Sequence, residues 1–220
     1  MKSTDTTVFL IDVDNTLLDN DAVIADISAE FEHLFGADSC QRFWAISDAL
    51  RAELGYVDYL GALQRYRDTV DPDPRLYGLS SFLLDYPFAL RLYSQTLAVL
   101  KHLQRRGQTV IVSDGDIVFQ PRKIQRSGLW DAVEGRVLIY RHKEQMLDDI
   151  VRRYGAQHYV MIDDKLSILS AMKQIWAARL TTVFVRQGHY ALDPATIQGN
   201  PAADMTIESI GDLHALNFDK

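Results

Sequence analysis

Thr7-Val8-Phe9-Leu10-Ile11-Asp12-Val13-Asp14-Asn15-Thr16 is the stretch that decides the fold. An apolar run leads without a break into two carboxylates set two residues apart. A near-continuous β-branched and aliphatic run of this kind marks a strand buried on both faces of a parallel sheet. Charges beside a core cost free energy unless something pairs with them, so the end of this strand calls for a partner such as a metal ion. An aspartate in that place can also serve as a nucleophile toward phosphorus.

Three further runs, 109–112, 159–162 and 181–185, share the pattern, with weaker strand candidates at 137–140 and 205–207. Stripes at helical spacing separate them. Leu97, Leu100 and Leu103 share a face, with Gly107 placed as a C-terminal cap. Met146, Leu147, Ile150, Val151 and Tyr154 form a second stripe, ended by Gly155, and Leu166, Leu169, Met172 and Trp176 form a third. Strands alternating with helices predict an α/β fold, a Rossmann-like parallel sheet with helices on both faces.

Residues 19–86 interrupt the alternation. Val23, Ile27, Phe31 and Leu34 recur at helical spacing, followed by Phe43, Ile46, Leu50 and Leu54, then Leu60, Leu63 and Tyr66 before the turn Asp71-Pro72-Asp73-Pro74. Three or four helices are therefore expected straight after the first strand. The domain reading is an α/β core of 1–18 and 87–220 with a helical cap domain of 19–86. Residues 191–203, with Pro194, Gly199 and Pro201, read as a loop before the last strand.

Composition bounds the function. The 220 residues are 47% hydrophobic and 24% charged, ordinary for a globular protein. A net charge of −7 gives no footprint for a nucleic-acid backbone. Cys40 alone cannot form an intrachain disulfide and fits a reducing compartment. Met1-Lys2-Ser3-Thr4-Asp5 lacks a signal-peptide apolar region, and no run approaches a membrane span. The expectation is a soluble, cytoplasmic protein without a nucleic-acid or membrane partner; oligomeric state leaves no mark in the sequence.

Three of the four strong strands end in polar residues: Asp12, Ser113 and the pair Asp163-Asp164. In open α/β sheets ligands bind beyond the carboxyl ends of the strands, so these groups should meet in one crevice. Lys143, at the start of a predicted helix, can reach the same edge. The chemistry that follows is attack by Asp12 on a phosphate monoester, forming an aspartyl-phosphate. Asp14 would protonate the leaving oxygen and then deprotonate the hydrolytic water, which requires it to begin neutral beside its carboxylate neighbours. Ser113, the backbone N–H of Asp114 and Lys143 would hold the phosphate oxygens. Mg²⁺, a hard cation suited to oxygen ligands, would sit on Asp12 and Asp164, with Asp163 as a further ligand.

The chain resembles the haloacid dehalogenase (HAD) superfamily. Its first motif, Asp-x-Asp-x-Thr, stands as Asp12-Val13-Asp14-Asn15-Thr16, and the second, a strand ending in Ser or Thr, as Val110-Ile111-Val112-Ser113. The third, a lone lysine, best matches Lys143, and the fourth, an acidic pair after a strand, stands as Met161-Ile162-Asp163-Asp164. The resemblance runs from about Thr6 to Leu213 and implies a capped α/β core, an aspartate nucleophile and a Mg²⁺ site that includes the Asp14 backbone carbonyl. It departs from many relatives in lacking a further acid after Asp164; Ser167 stands near that position. The favoured expectation is a phosphatase for a small phosphorylated metabolite. The alternatives are a β-phosphoglucomutase-like phosphotransferase, a haloacid dehalogenase and a non-catalytic binding protein.

Other residues carry plainer readings. Lys123 and Lys165 are alternatives to Lys143. His142 and His189 read as polar loop residues, and Tyr56, Tyr59 and Tyr66 as core packing. Arg42, Arg51 and Arg65 read as solvated helix faces, one of which could reach a substrate. Dinucleotide, P-loop and serine-hydrolase fingerprints are missing.

Overall fold

In the computed structural model, which describes residues 7–218, β1 (Thr7–Ile11) lies inside a sheet of six parallel strands. The others are β2 (Gln108–Asp114), β3 (Val137–Tyr140), β4 (His158–Asp163), β5 (Leu180–Val185) and β6 (Met205–Ile207), in the order β3-β2-β1-β4-β5-β6. Ile11 pairs with Ile111 on one side and Ile162 on the other, and the Asp12 N–H carries the ladder one residue further by donating to Ile162 O at 3.0 Å. Strand order reverses at β1, the point where a crevice opens in such sheets. The continuous apolar runs have a simple cause. Phe9 and Ile11 join the hydrophobic cluster on one face, and Val8 and Leu10 the cluster on the other, so both parities are buried. The segment Met1-Lys2-Ser3-Thr4-Asp5, Thr6 and the last two residues lie outside the described residues.

Between β1 and β2 stand four helices: α1 (Asn20–Phe35), α2 (Ala37–Leu54), α3 (Tyr59–Arg67) and α4 (Arg75–Asp85). Asp19 caps α1 by accepting from the Ala22 N–H at 2.9 Å, and Gly55 ends α2 in the left-handed conformation. Their inward stripes meet through rings, with Phe31 stacked on Phe43 at 4.8 Å and edge-on to Tyr66 at 5.0 Å. This cluster runs without a break into the one beneath the sheet, with Tyr59 meeting Phe119, which begins the helix after β2, at 5.3 Å.

A 3₁₀ turn at Phe88–Arg91 leads to α5 (Thr96–Gln104). Then come α6 (Phe119–Arg126), α7 (Leu129–Ala132), α8 (Leu147–Arg153), α9 (Leu166–Trp176), α10 (Gly188–Leu192) and α11 (Pro194–Ile197), with 3₁₀ segments at Lys143–Gln145 and Ile210–Ala215. Several local expectations are corrected. Leu97 is exposed, because Thr96 takes the inward position and its hydroxyl donates to Leu17 O at 2.9 Å. Met146 likewise lies outside its stripe. Gly107 is not a left-handed cap: a Cβ there would lie 2.2 Å from Thr7 O, so close approach to β1 demands glycine. The supposed loop of 191–203 holds α11 and the end of α10; Pro194 begins α11 and Asp193 caps it. Among the described residues no helix is long and apolar enough to cross a membrane.

Candidate active site

Asp12 follows β1 directly, and its carboxylate meets a buried ammonium. Lys143 Nζ lies 2.5 Å from Asp12 Oδ1 and 2.7 Å from Asp163 Oδ2, and it is 1% exposed. The geometry thus selects Lys143 over Lys123 and Lys165 as the partner of Asp12. Asp114 fixes the loop that delivers it, accepting from the Lys143 N–H at 2.8 Å. Burial alone would lower Lys143, but the carboxylates of Asp12, Asp163 and Asp114 outweigh it and hold the ammonium above the ordinary lysine range.

Asp12, Asp163 and Asp164 bring carboxylate oxygens within 4.8 Å of one another, all three buried. Burial pushes Asp12 up to about 7; Lys143 opposes the shift, and Asp163 adds to it. Asp164 is raised well above the usual carboxylate range by burial, then by Asp163 and Asp12. The two members of the acidic pair differ. Asp163 accepts from the Lys165 N–H on Oδ1 at 2.8 Å, and its Oδ2 makes an ion pair with Lys143 Nζ without a hydrogen bond. Among the described residues neither oxygen of Asp164 has a hydrogen-bond partner, although both are buried. A carboxylate so placed calls for a proton or a cation, and the oxygen-rich donor set suits a hard cation.

Asp14 sits apart from that cluster. Lys123 Nζ donates to Asp14 Oδ1 at 2.7 Å and to Asn20 Oδ1 at 2.9 Å, and Gln120 Nε2 reaches Asp14 Oδ2 at 3.2 Å and Ser113 Oγ at 2.8 Å. Asp14 was expected to stand beside neighbouring carboxylates; its side chain instead hydrogen-bonds an ammonium and an amide. Ser113 is buried at the end of β2. Ile111 and Gly115 donate their N–H groups to β3, so the Asp114 N–H, of opposite parity, faces the β1 side where Asp12 lies. The Asp116 side chain is spent on the start of α6, accepting from Val118 and Phe119 N–H groups.

Gln120 escaped the sequence reading, and Lys123 entered only as a rival to Lys143. A signal existed: Phe119 and Ile124 mark the inward face of the otherwise polar α6, and Gln120 and Lys123, one turn apart, share it. Asn15 was read only as part of its motif. It adopts φ 61°, accepts from the Asn20 and Asp21 N–H groups at 3.0 and 3.2 Å, and donates to Asp21 Oδ1 at 2.9 Å. Gly188, at φ 70°, leaves room for it; a Cβ there would lie 2.3 Å from the Asn15 side chain.

A cavity of about 680 Å³ opens in front of these groups, lined by Asp14, Gln120 and Lys165 and by Trp44, Arg51 and Tyr59 of the inserted helices. Two contacts span it. Arg51 donates to the Tyr190 hydroxyl at 2.8 Å, and the Arg141 guanidinium lies 5.7 Å from the Tyr56 ring. Lys165 Nζ sits 4.6 Å from the centre of the Tyr190 ring. Of Arg42, Arg51 and Arg65 it is Arg51 that reaches the cavity; Arg42 and Arg65 are spent on Ser39 and Glu53. Tyr66 is buried packing as expected, whereas Tyr56 and Tyr59 also line the cavity. His142 and His189 line it too, the latter tied to Asp21 at 2.6 Å, and Ser167 stands at its edge.

The chain belongs to the haloacid dehalogenase-like hydrolase family, whose profile matches residues 6–175. It is therefore a hydrolase of the HAD superfamily. A haloacid dehalogenase-like hydrolase from Burkholderia xenovorans is 62% identical over 97% of both chains, with a TM-score of 0.91. L-2-haloacid dehalogenase from Xanthobacter autotrophicus is 16% identical, covering 95% of this chain and 97% of its own, with a TM-score of 0.63. A HAD-type hydrolase from Bacillus subtilis, bound to magnesium, is 16% identical over 97% and 99% of the two chains, with a TM-score of 0.66. The last two likenesses concern the fold alone. No curated protein matches.

Proposed function

We propose that this hydrolase is a Mg²⁺-dependent phosphatase that acts on a small phosphorylated metabolite through an aspartyl-phosphate. The observation that carries the reading is Asp164, with two buried and unpartnered oxygens beside the Asp12 carboxylate. Displacement of a halide from carbon has no use for a divalent cation or for a second acid at Asp14.

In this reading Asp12 attacks phosphorus, the bond to the leaving oxygen breaks, and that oxygen takes a proton from Asp14. Water then attacks the aspartyl-phosphate and gives its proton to Asp14, the bond from phosphorus to Asp12 breaks, and inorganic phosphate departs. Lys143 balances charge at the nucleophile, and Ser113 with the Asp114 N–H orients the oxygens of the transferring group. Mg²⁺ would be held by Asp12, Asp164 and the Asp14 carbonyl, with Asp163 behind them, and would supply positive charge to the transferring phosphoryl oxygens. Residues 19–86 would act as a cap over the core of 1–18 and 87–220, excluding water and selecting the leaving group.

The test is a release screen with Mg²⁺ over sugar phosphates, nucleotides and phospho-acids, run beside 2-chloropropionate without metal. Phosphate release supports the reading. Chloride release without phosphate release overturns it in favour of a dehalogenase. Interconversion of two sugar phosphates without free phosphate would mark a mutase.

A further inference from the structure

Lys123 stands in the cavity wall beside Asp14 but is almost covered: its side chain is 2% exposed, whereas that of Asp14 is 28% exposed. The ammonium binds Asp14 Oδ1 at 2.7 Å and Asn20 Oδ1, at the start of α1, at 2.9 Å. Asn20 is anchored in turn, its N–H donating to Asn15 Oδ1 at 3.0 Å. Among the described residues Asp14 Oδ2 has only the longer Gln120 contact, at 3.2 Å. One oxygen is therefore clamped by a charge, and the other remains free to exchange its partner for a substrate oxygen.

We propose that Lys123 is a positioning residue for proton transfer: it fixes Asp14 Oδ1 so that Oδ2 faces the leaving oxygen, and through Asn20 it ties that alignment to the first inserted helix. The inference rests on the phosphatase reading and adds a residue to it. Oδ2 carries the proton that the departing oxygen takes as its bond to phosphorus breaks, and later accepts the proton of the attacking water. With its side chain 2% exposed and its ammonium held by Asp14 and Asn20, Lys123 acts through Asp14 and not on the substrate itself. Its contribution lies in geometry, where misplacement of a reacting group by about 1 Å can cost roughly 100-fold.

Two aryl esters of one shape separate this role from ordinary structural support. p-Nitrophenolate departs readily without a proton, whereas phenolate needs one. Lys123→Met should lower kcat for phenyl phosphate about 100-fold, the size of a lost general-acid contribution, and for p-nitrophenyl phosphate only about 5-fold. Equal losses on both esters would overturn the proposal, because they would mean that the variant disturbs the site as a whole. If the wild type hydrolyses neither ester, nor any of a broad panel of phosphomonoesters, the phosphatase reading itself fails, and this inference with it. Circular dichroism checks the fold of the variant. Should Lys123→Met not fold, Asn20→Ala leaves the Lys123–Asp14 pair in place and frees it from α1. It should show the same preference for phenyl phosphate in its loss, several-fold in size, and an equal or absent loss would count against the proposal.

Discussion

Lys143 answers two buried carboxylates at once, so its removal should act on both stability and chemistry. Lys143→Met leaves Asp12 and Asp163 without their shared cation, and breaking a buried pair from one side costs about 3–5 kcal/mol. Denaturant unfolding should show that loss, and turnover should fall by at least about 100-fold. Asp164 predicts the opposite trade. With metal chelated, Asp164→Asn should unfold at a higher temperature than the wild type, since the neutral amide removes a buried acid that Asp163 and Asp12 repel. With Mg²⁺ added, the order should reverse, because only the wild type gains a ligand. A variant less stable under both conditions would mean that Asp164 serves the fold and not a metal. Asp12, Asp14, Ser113 and the acidic pair were legible because each is a polar residue at the end of an apolar run. Gln120 and Lys123 were less so, since their burial depends on how α6 docks against the sheet.

Among the elements, α1 is joined to the returning chain by a polar clamp. Asp26 accepts from the Tyr86 hydroxyl and from Arg91, whose Nε lies 2.8 Å from the Tyr86 oxygen. The Tyr86 hydrogen bond, with Arg91, holds Asp26 below the ordinary aspartate value of 3.8. A carboxylate with a depressed native value stabilises the fold above its unfolded value and loses that contribution as pH falls through the native one. Asp26→Asn should therefore lower the melting temperature at pH 7, with the gap to the wild type closing below pH 3.8. A gap independent of pH would show that the clamp does not depend on charge. Gly188→Ala should cost about 1–2 kcal/mol for its left-handed backbone and more for displacing Asn15, read by the same melting assay. Element type was plain wherever periodicity was strong, and all six strands sit where their runs place them. Edges were harder. Thr96 displaced Leu97 from the core side of α5 because its hydroxyl finds Leu17 O, a contact between residues far apart in sequence.

At the scale of the whole molecule, parallel strands carry Asp12, Ser113 and Asp163-Asp164 to one edge, and the helices between β1 and β2 stand over that edge with Trp44, Arg51 and Tyr59 in the cavity wall. The edge was legible from strand ends alone. The cavity wall was not, because helical spacing tells which side of α2 packs inward but not that Arg51 reaches Tyr190 across the opening. If the acidic cluster takes Mg²⁺, the folded protein should gain about 2.7 kcal/mol at a metal concentration 100-fold above Kd, visible as a rise of several degrees in melting temperature. The most direct measurement is Mg²⁺-dependent hydrolysis of p-nitrophenyl phosphate by the wild type and by Asp12→Asn, in metal and in chelator. The account predicts phosphate release by the wild type with Mg²⁺, near-background rates in chelator, and a loss of at least about 1000-fold in Asp12→Asn with Mg²⁺. Equal rates for the two proteins, or a wild-type rate indifferent to metal, would contradict it.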